Sequence, residues 1–250
     1  MTCLSYCCEC AVNPKIPRNL YAKLEERLRG YLLPRLQESA EPLTLDEDEV
    51  LAATIDRIKL TEDQSSPDSV ISGLSLFLYK MNENEQPVKP TRSIDLEEES
   101  KFYQSMSFPN IDYDELWDAL LFDTAIKEEL VAFIEVLFDF SKSGLAKSES
   151  FSCNRILLLH GPPGGGKSSL ALALAQKLSV RLWYLQHSNA SDGPFYDKVQ
   201  AFLINSNQLF SRWFAESGKL IQKLFEDIKN AANAKTDQGT QSFIVVIIDE

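Results

Sequence analysis

Apolar residues recur along this chain with two different strides. Leu4, Tyr6, Cys8, Cys10 and Val12 alternate with Ser5, Cys7, Glu9 and Ala11, the period of one face of a β-strand. Val70–Lys80 alternates in the same way and Ala52–Leu60 does so imperfectly, so both are expected as strands. Elsewhere the stride is three to four. Leu20, Leu24, Leu28, Tyr31 and Leu32 predict a helix capped by Asn19, running to about Leu33 and ended by Pro34. Ile126, Leu130, Phe133, Ile134 and Leu137 predict a helix over 124–140, and Leu220, Leu224 and Ile228 predict one over 217–232. Ile156–Leu159 and Phe243–Ile248 are unbroken apolar runs, as expected of parallel strands covered on both faces. Val180–Leu185 reads as a further strand, after a helix that ends near Leu178.

Between these patterned regions, Asn, Glu and Pro dominate residues 82–100, including Glu97, Glu98 and Glu99, and set residues 83–107 apart. We read them as an acidic linker joining a small α+β domain with antiparallel pairing (1–82) to a larger α/β domain (108–250) with a parallel sheet and helices on both faces. The chain has 250 residues, 44% of them hydrophobic, enough to bury cores in both. Its net charge of −12 argues against general nucleic-acid binding, which needs Lys and Arg to neutralise phosphates. No apolar run reaches the ~20 residues of a spanning helix, and residues 1–10 lack the features of a secretory signal. No membrane association is expected, and an intracellular, reducing setting is expected for the five cysteines. Cys3, Cys7, Cys8 and Cys10 crowd the N-terminus. Metal ligation is one reading of them. Membership of a strand is favoured, because no His or paired C-x-x-C lies nearby.

The chemistry is concentrated between residues 155 and 178. Gly161, Pro162, Pro163, Gly164, Gly165, Gly166, Lys167 and Ser168 fit G-x-x-x-x-G-K-[ST] without a mismatch, with Ser169 next. Glycines let the backbone curl so that successive N–H groups face phosphate oxygens. The helix that follows adds the positive end of its dipole. Lys167 has the reach for β- and γ-phosphates, and the Ser168 hydroxyl suits Mg²⁺. Downstream, the apolar run 243–248 ends in Asp249 and Glu250. A carboxylate at a strand tip can hold Mg²⁺, and its neighbour can polarise the attacking water.

Taken together, these stretches resemble the AAA+ ATPases, and among them the pachytene checkpoint protein 2 family. The wording of 161–170 is the general AAA+ form. Closer likenesses are Leu116, Trp117 and Asp118; the run Arg155–His160; Ala173–Leu178; and above all Leu209–Leu220, which contains Arg212, Trp213 and Phe214. The resemblance is strong over 108–250 and extends more weakly to the N-terminal domain, which is similar to that family's substrate-recognition domain. It implies an ATP- and Mg²⁺-dependent ring hexamer that remodels HORMA-domain proteins, in some cases through an adaptor. The expected setting is meiotic chromosomes and the nucleus, with a role in spindle-checkpoint silencing in some organisms. It implies that Gly161–Ser169 hold ATP, that Lys167 and Glu250 are catalytic, that Ser168 and Asp249 carry the metal, and that Arg212–Phe214 face a central pore. From the residues alone, Trp213 and Phe214 fit burial under a helix equally well.

The chain departs from the family at Gly165 and Ser168, where Thr is usual. It also looks longer around Trp183–Tyr196, through a surface insertion or an error in the gene model. The family further implies strands, a sensor residue, an arginine finger and a helical lid beyond Glu250, so little turnover is expected of residues 1–250 alone. Alternatives are a truncated, non-cycling isoform that binds nucleotide or a partner, and an AAA+ ATPase acting on DNA.

Overall fold

The computed structural model describes residues 4–38, 45, 48–62, 71–81, 103–142, 154–187, 196–206, 217–234 and 241–249. They divide into two compact units, Met1–Met81 and Asn82–Glu250.

In the first unit, β1 (Leu4–Val12) is the middle strand of a three-stranded sheet in the order β2-β1-β3, with β2 at Ile55–Glu62 and β3 at Ile71–Tyr79. The β1–β2 pair is antiparallel and the β1–β3 pair is parallel, so the expectation of purely antiparallel pairing is corrected. The long stretch from β1 to β3 includes α1 (Tyr21–Glu38), which packs on β3 and gives the chain the crossover length that a parallel return requires. Being central, β1 is buried on both faces. Cys8, Cys10 and Val12 are buried on one, and Glu9 and Ala11 on the other. The Cys8 and Cys10 sulfurs lie 3.5 Å apart and share a hydrogen bond. That bond, followed by burial, raises the Cys10 pKa well above that of an ordinary thiol, so the group stays protonated at neutral pH. Cys3 lies outside the described residues.

Two other expectations in this unit are corrected. The segment read as a strand from residue 52 begins as a helix, α2 (Glu49–Thr54), whose N-terminal amides at Val50 and Leu51 are capped by Asp48. Pro34 does not stop α1, which continues to Glu38. A proline ring clashes with the carbonyl four residues earlier, which here is that of Gly30. The neighbouring Tyr31 carbonyl accepts a bond from Arg35 Nη1 at 3.2 Å, and the Arg35 guanidinium lies 3.7 Å from the Tyr31 ring centre.

The second unit is built on a sheet ordered β4-β5-β6, from Tyr103–Phe108, Tyr196–Asn205 and Gln241–Asp249. β5 and β6 are parallel, while β4 is antiparallel to β5. Residues 103–107, read as linker, are therefore part of this sheet; the short run from Tyr103 to Phe108 carries the apolar residues that pair and pack there. Three helices flank it: α4 (Ile126–Lys142), α5 (Lys167–His187) and α6 (Ser217–Asn233), with a single turn, α3 (Leu116–Ala119), ahead of them. On one face Phe108, Val199 and Ala201 pack with Phe138 of α4 and with Ala175, Leu178 and Leu182 of α5. On the other, Phe202 and Ile204 pack with Leu224 and Ile228 of α6. Helices thus cover both faces of an α/β sheet, as expected.

Two strand predictions fail. Val180–Leu185 is the continuation of α5; Leu174, Leu178 and Leu182 recur every fourth residue and all are buried, so the helix period wins. Ile156–Leu159 is neither helix nor strand and has no ladder partners among the described residues. Ile156 is 79% exposed and Leu158 81%. Only Leu159 finds cover, against the α4–α5 cluster of Leu130, Leu170 and Leu174. Among the described residues β6 is an edge strand, with Ile248 65% exposed. The sequence between residues 207 and 216 lies outside the described residues.

Candidate nucleotide-binding site

The glycine loop leads directly into α5, whose first residue is Lys167. Gly164 and Gly166 have φ of 77° and 78°, a conformation that costs an L-residue with a Cβ roughly 1–2 kcal/mol. Between them the loop closes through a bond from Gly165 N to the Pro162 carbonyl at 3.3 Å, and the helix begins with Leu170 N on the Gly166 carbonyl at 2.8 Å. Leu170 is buried and pins the first turn of α5 to α4. The loop from Gly161 to Gly165 is exposed, as is Ser168. The early amides of a helix have no carbonyl upstream to bond, so this turn offers donors and a positive dipole end to solvent.

Lys167 folds back over the loop. Its Nζ donates to the carbonyls of Gly161 at 3.1 Å and Pro162 at 2.9 Å. Both contacts hold the ammonium over the backbone of the glycine loop. The residues present fit a triphosphate and its Mg²⁺: a loop with two left-handed glycines, a helix N-terminus, one ammonium and a hydroxyl. Asp249 ends β6 in register with Asn205 of β5 and is half-buried, the strand-tip placement expected of a metal-holding carboxylate. Glu250, Arg212, Trp213 and Phe214 lie outside the described residues. Among the described residues no cluster of three metal-ligating side chains occurs, and no helix is long and apolar enough to cross a membrane.

The structure adds a feature that the motif could not reveal. A Cβ placed on Gly166 would lie 3.6 Å from Leu120 Cδ2 and 4.0 Å from Phe122 Cζ. The chain between α3 and α4 therefore forms an apolar wall against the loop where it becomes helix. Leu120 and Phe122, with Trp117, join the Leu130–Leu170–Leu174 cluster. In the sequence these residues look like ordinary core positions; their nearness to Gly166 is a product of the tertiary fold. The Gly166→Ala protein is expected to keep its fold, since 3.6 Å is an ordinary contact, but to strain φ and weaken nucleotide binding about tenfold. Titration with a fluorescent ATP derivative measures this, and unchanged affinity would refute the strain argument.

Comparison with known proteins agrees with this geometry. Residues 157–250 match the family described as ATPase family associated with various cellular activities (AAA). A pachytene checkpoint protein 2 homologue of Xenopus tropicalis is 39% identical over 178 residues, covering 70% of this chain and 36% of that protein. The homologue of Homo sapiens is 34% identical over 199 residues, covering 78% and 41%. The chain therefore spans about two-fifths of the length of these relatives. A solved structure of C. elegans PCH-2 superposes with a TM-score of 0.69 at 24% identity, covering the whole of this chain and 59% of that one, which supports the fold. The chain belongs to the AAA ATPases, among the homologues of pachytene checkpoint protein 2.

Proposed function

We propose that the protein to which this chain belongs is an ATP-driven remodeller of HORMA-domain proteins that acts in meiotic checkpoint control. The observation that carries the nucleotide half of this reading is the closed glycine loop at the start of α5 with Lys167 folded over it. The names of the relatives support the meiotic half. The chain's net charge of −12 favours a protein over DNA as the target.

In this reading the amides of 164–168 bind the phosphates and Lys167 leaves its carbonyl partners for the β- and γ-phosphate oxygens. Ser168 and Asp249 would hold Mg²⁺, which would supply neutralisation of charge at the phosphoryl group. Glu250, next to Asp249 in sequence, takes a proton from the attacking water. Arg212, Trp213 and Phe214 would line the pore of a hexameric ring and grip an extended polypeptide by apolar contact. The proposed setting is the nucleus, on meiotic chromosomes, with HORMA-domain proteins presented directly or by an adaptor.

The test uses the full-length protein and its ATP turnover with and without a HORMA-domain protein. Stimulation that is lost in Trp213→Ala, while basal nucleotide binding persists, is the expected result. Absence of stimulation together with a Trp213→Ala protein that behaves as the parent would overturn the remodelling assignment.

A further inference from the structure

Lys127 occupies an unusual place. It is the second residue of α4, where the helix dipole disfavours a cation. Its side chain turns back instead to the end of the preceding turn. The ammonium donates to the carbonyl of Trp117 at 2.6 Å and to that of Leu120 at 2.9 Å, and sits 5.1 Å from the centre of the Trp117 ring. One carbonyl belongs to α3 and the other to the residue that terminates it. These are carbonyls that a four-residue helix cannot satisfy from within. Lys127 is half-buried, so the bonds are partly shielded from water. Lys177 of α5 places its ammonium 5.6 Å from the Trp117 centre. Trp117 is thus within cation–π reach of a residue of α4 and of a residue of the loop-bearing helix.

Two facts join here. Lys127 holds the carbonyl of Leu120, and the Leu120 side chain, with Phe122 two residues on, bounds the space where a Cβ on Gly166 would stand and packs with Leu170 in the first turn of α5. We infer that Lys127 is a positioning residue of the nucleotide site: by tying the carbonyls of Trp117 and Leu120 it sets the apolar wall of Leu120 and Phe122 against Gly166, and so keeps the phosphate loop in its binding shape. Lys127 itself touches neither the loop nor a phosphate; it acts through the wall. The inference rests on the nucleotide reading of the glycine loop. Removing a bond to a charged donor exposes two carbonyls and frees the 117–122 segment, and loss of such a bond is worth about tenfold in affinity.

The experiment titrates the whole chain with a fluorescent ATP derivative and Mg²⁺, and follows the thermal melt of each variant. If the parent chain does not bind, the nucleotide reading itself fails, and with it this one. If the parent binds, Lys127→Met is expected to bind about five- to twentyfold more weakly, Lys127→Arg, which can reach both carbonyls, to bind close to the parent, and both to melt near the parent temperature. The effect of Lys127→Met should also vanish in a Leu120→Ala, Phe122→Ala background, because the wall it sets is gone. Unchanged affinity in Lys127→Met overturns the inference. So does an affinity loss that tracks a fall in melting temperature without rescue by Arg, or one that adds fully to that of the wall variant. Should Lys127→Met fail to fold, Lys127→Gln takes its place under the same criteria.

Discussion

Replacing Lys167 by alanine is expected to weaken binding of Mg²⁺-ATP by about a hundredfold, with the fold intact. The direction follows from what the side chain does. Its Nζ has two carbonyl partners, Gly161 and Pro162, both within the loop it covers. A bound triphosphate brings several negative oxygens to the same place, and a charge-assisted contact to phosphate is about twice as strong as a neutral one. The carbonyl bonds exchanged for it are exposed and small in net value. Little stability is at risk: Lys167 begins α5, while the burial that fixes the helix starts at Leu170. Isothermal titration of the two proteins with ATP and Mg²⁺ gives the ratio, and circular dichroism confirms the fold. Equal affinities would mean that the loop does not bind phosphate through this residue, and the functional proposal would lose its base.

Much of the site was legible because its determinants are local. The glycines, Lys167 and Ser168 form one turn and one helix start, and φ of 77° and 78° at Gly164 and Gly166 is the backbone behaviour that glycine spacing announces. The amphipathic stride of α6 and the alternation of β1 were equally plain. What sequence could not supply was the identity of neighbours. Ile156–Leu159 and Phe243–Ile248 carry the same apolar signal, yet one forms a ladder with β5 and the other has no ladder partner among the described residues. An apolar run states that a segment can be buried, not which strand will bury it. Val180–Leu185 erred for a related reason. The stretch is apolar enough for either element, but Leu178 and Leu182, four residues apart, pack against the sheet from α5; tertiary packing decided between them. The wall of Leu120 and Phe122 stands beside Gly166 although they are far apart in the chain, which no local pattern encodes.

The antiparallel strand β4 carries a second large expectation. Phe108→Ala should destabilise the second unit by about 3–5 kcal/mol. Phe108 is fully buried at the end of β4. Its ring lies 5.5 Å from that of Tyr113 at a tilt of 56°, and it shares a cluster with Phe138 of α4, with Ala175, Leu178 and Leu182 of α5, and with Val199 and Ala201 of β5. One side chain therefore touches a core made from every layer on that face of the sheet. Truncation removes the transfer energy of a phenyl ring and leaves a hole that rigid neighbours fill only in part. β4 is also bonded to β5 along one side, so the ladder resists collapse into the hole, which favours the upper part of the range. The loss should appear as a lower urea midpoint with an unchanged slope, since the surface exposed on unfolding is nearly the same. Leu28→Ala, in the other unit and also fully buried, serves as the control: it should leave the Tyr196 and Phe243 environment of the second unit unaltered by near-ultraviolet circular dichroism, whereas Phe108→Ala should loosen it. A Phe108→Ala protein that unfolds at the parent midpoint would show that Phe108 and the end of β4 are not part of this core.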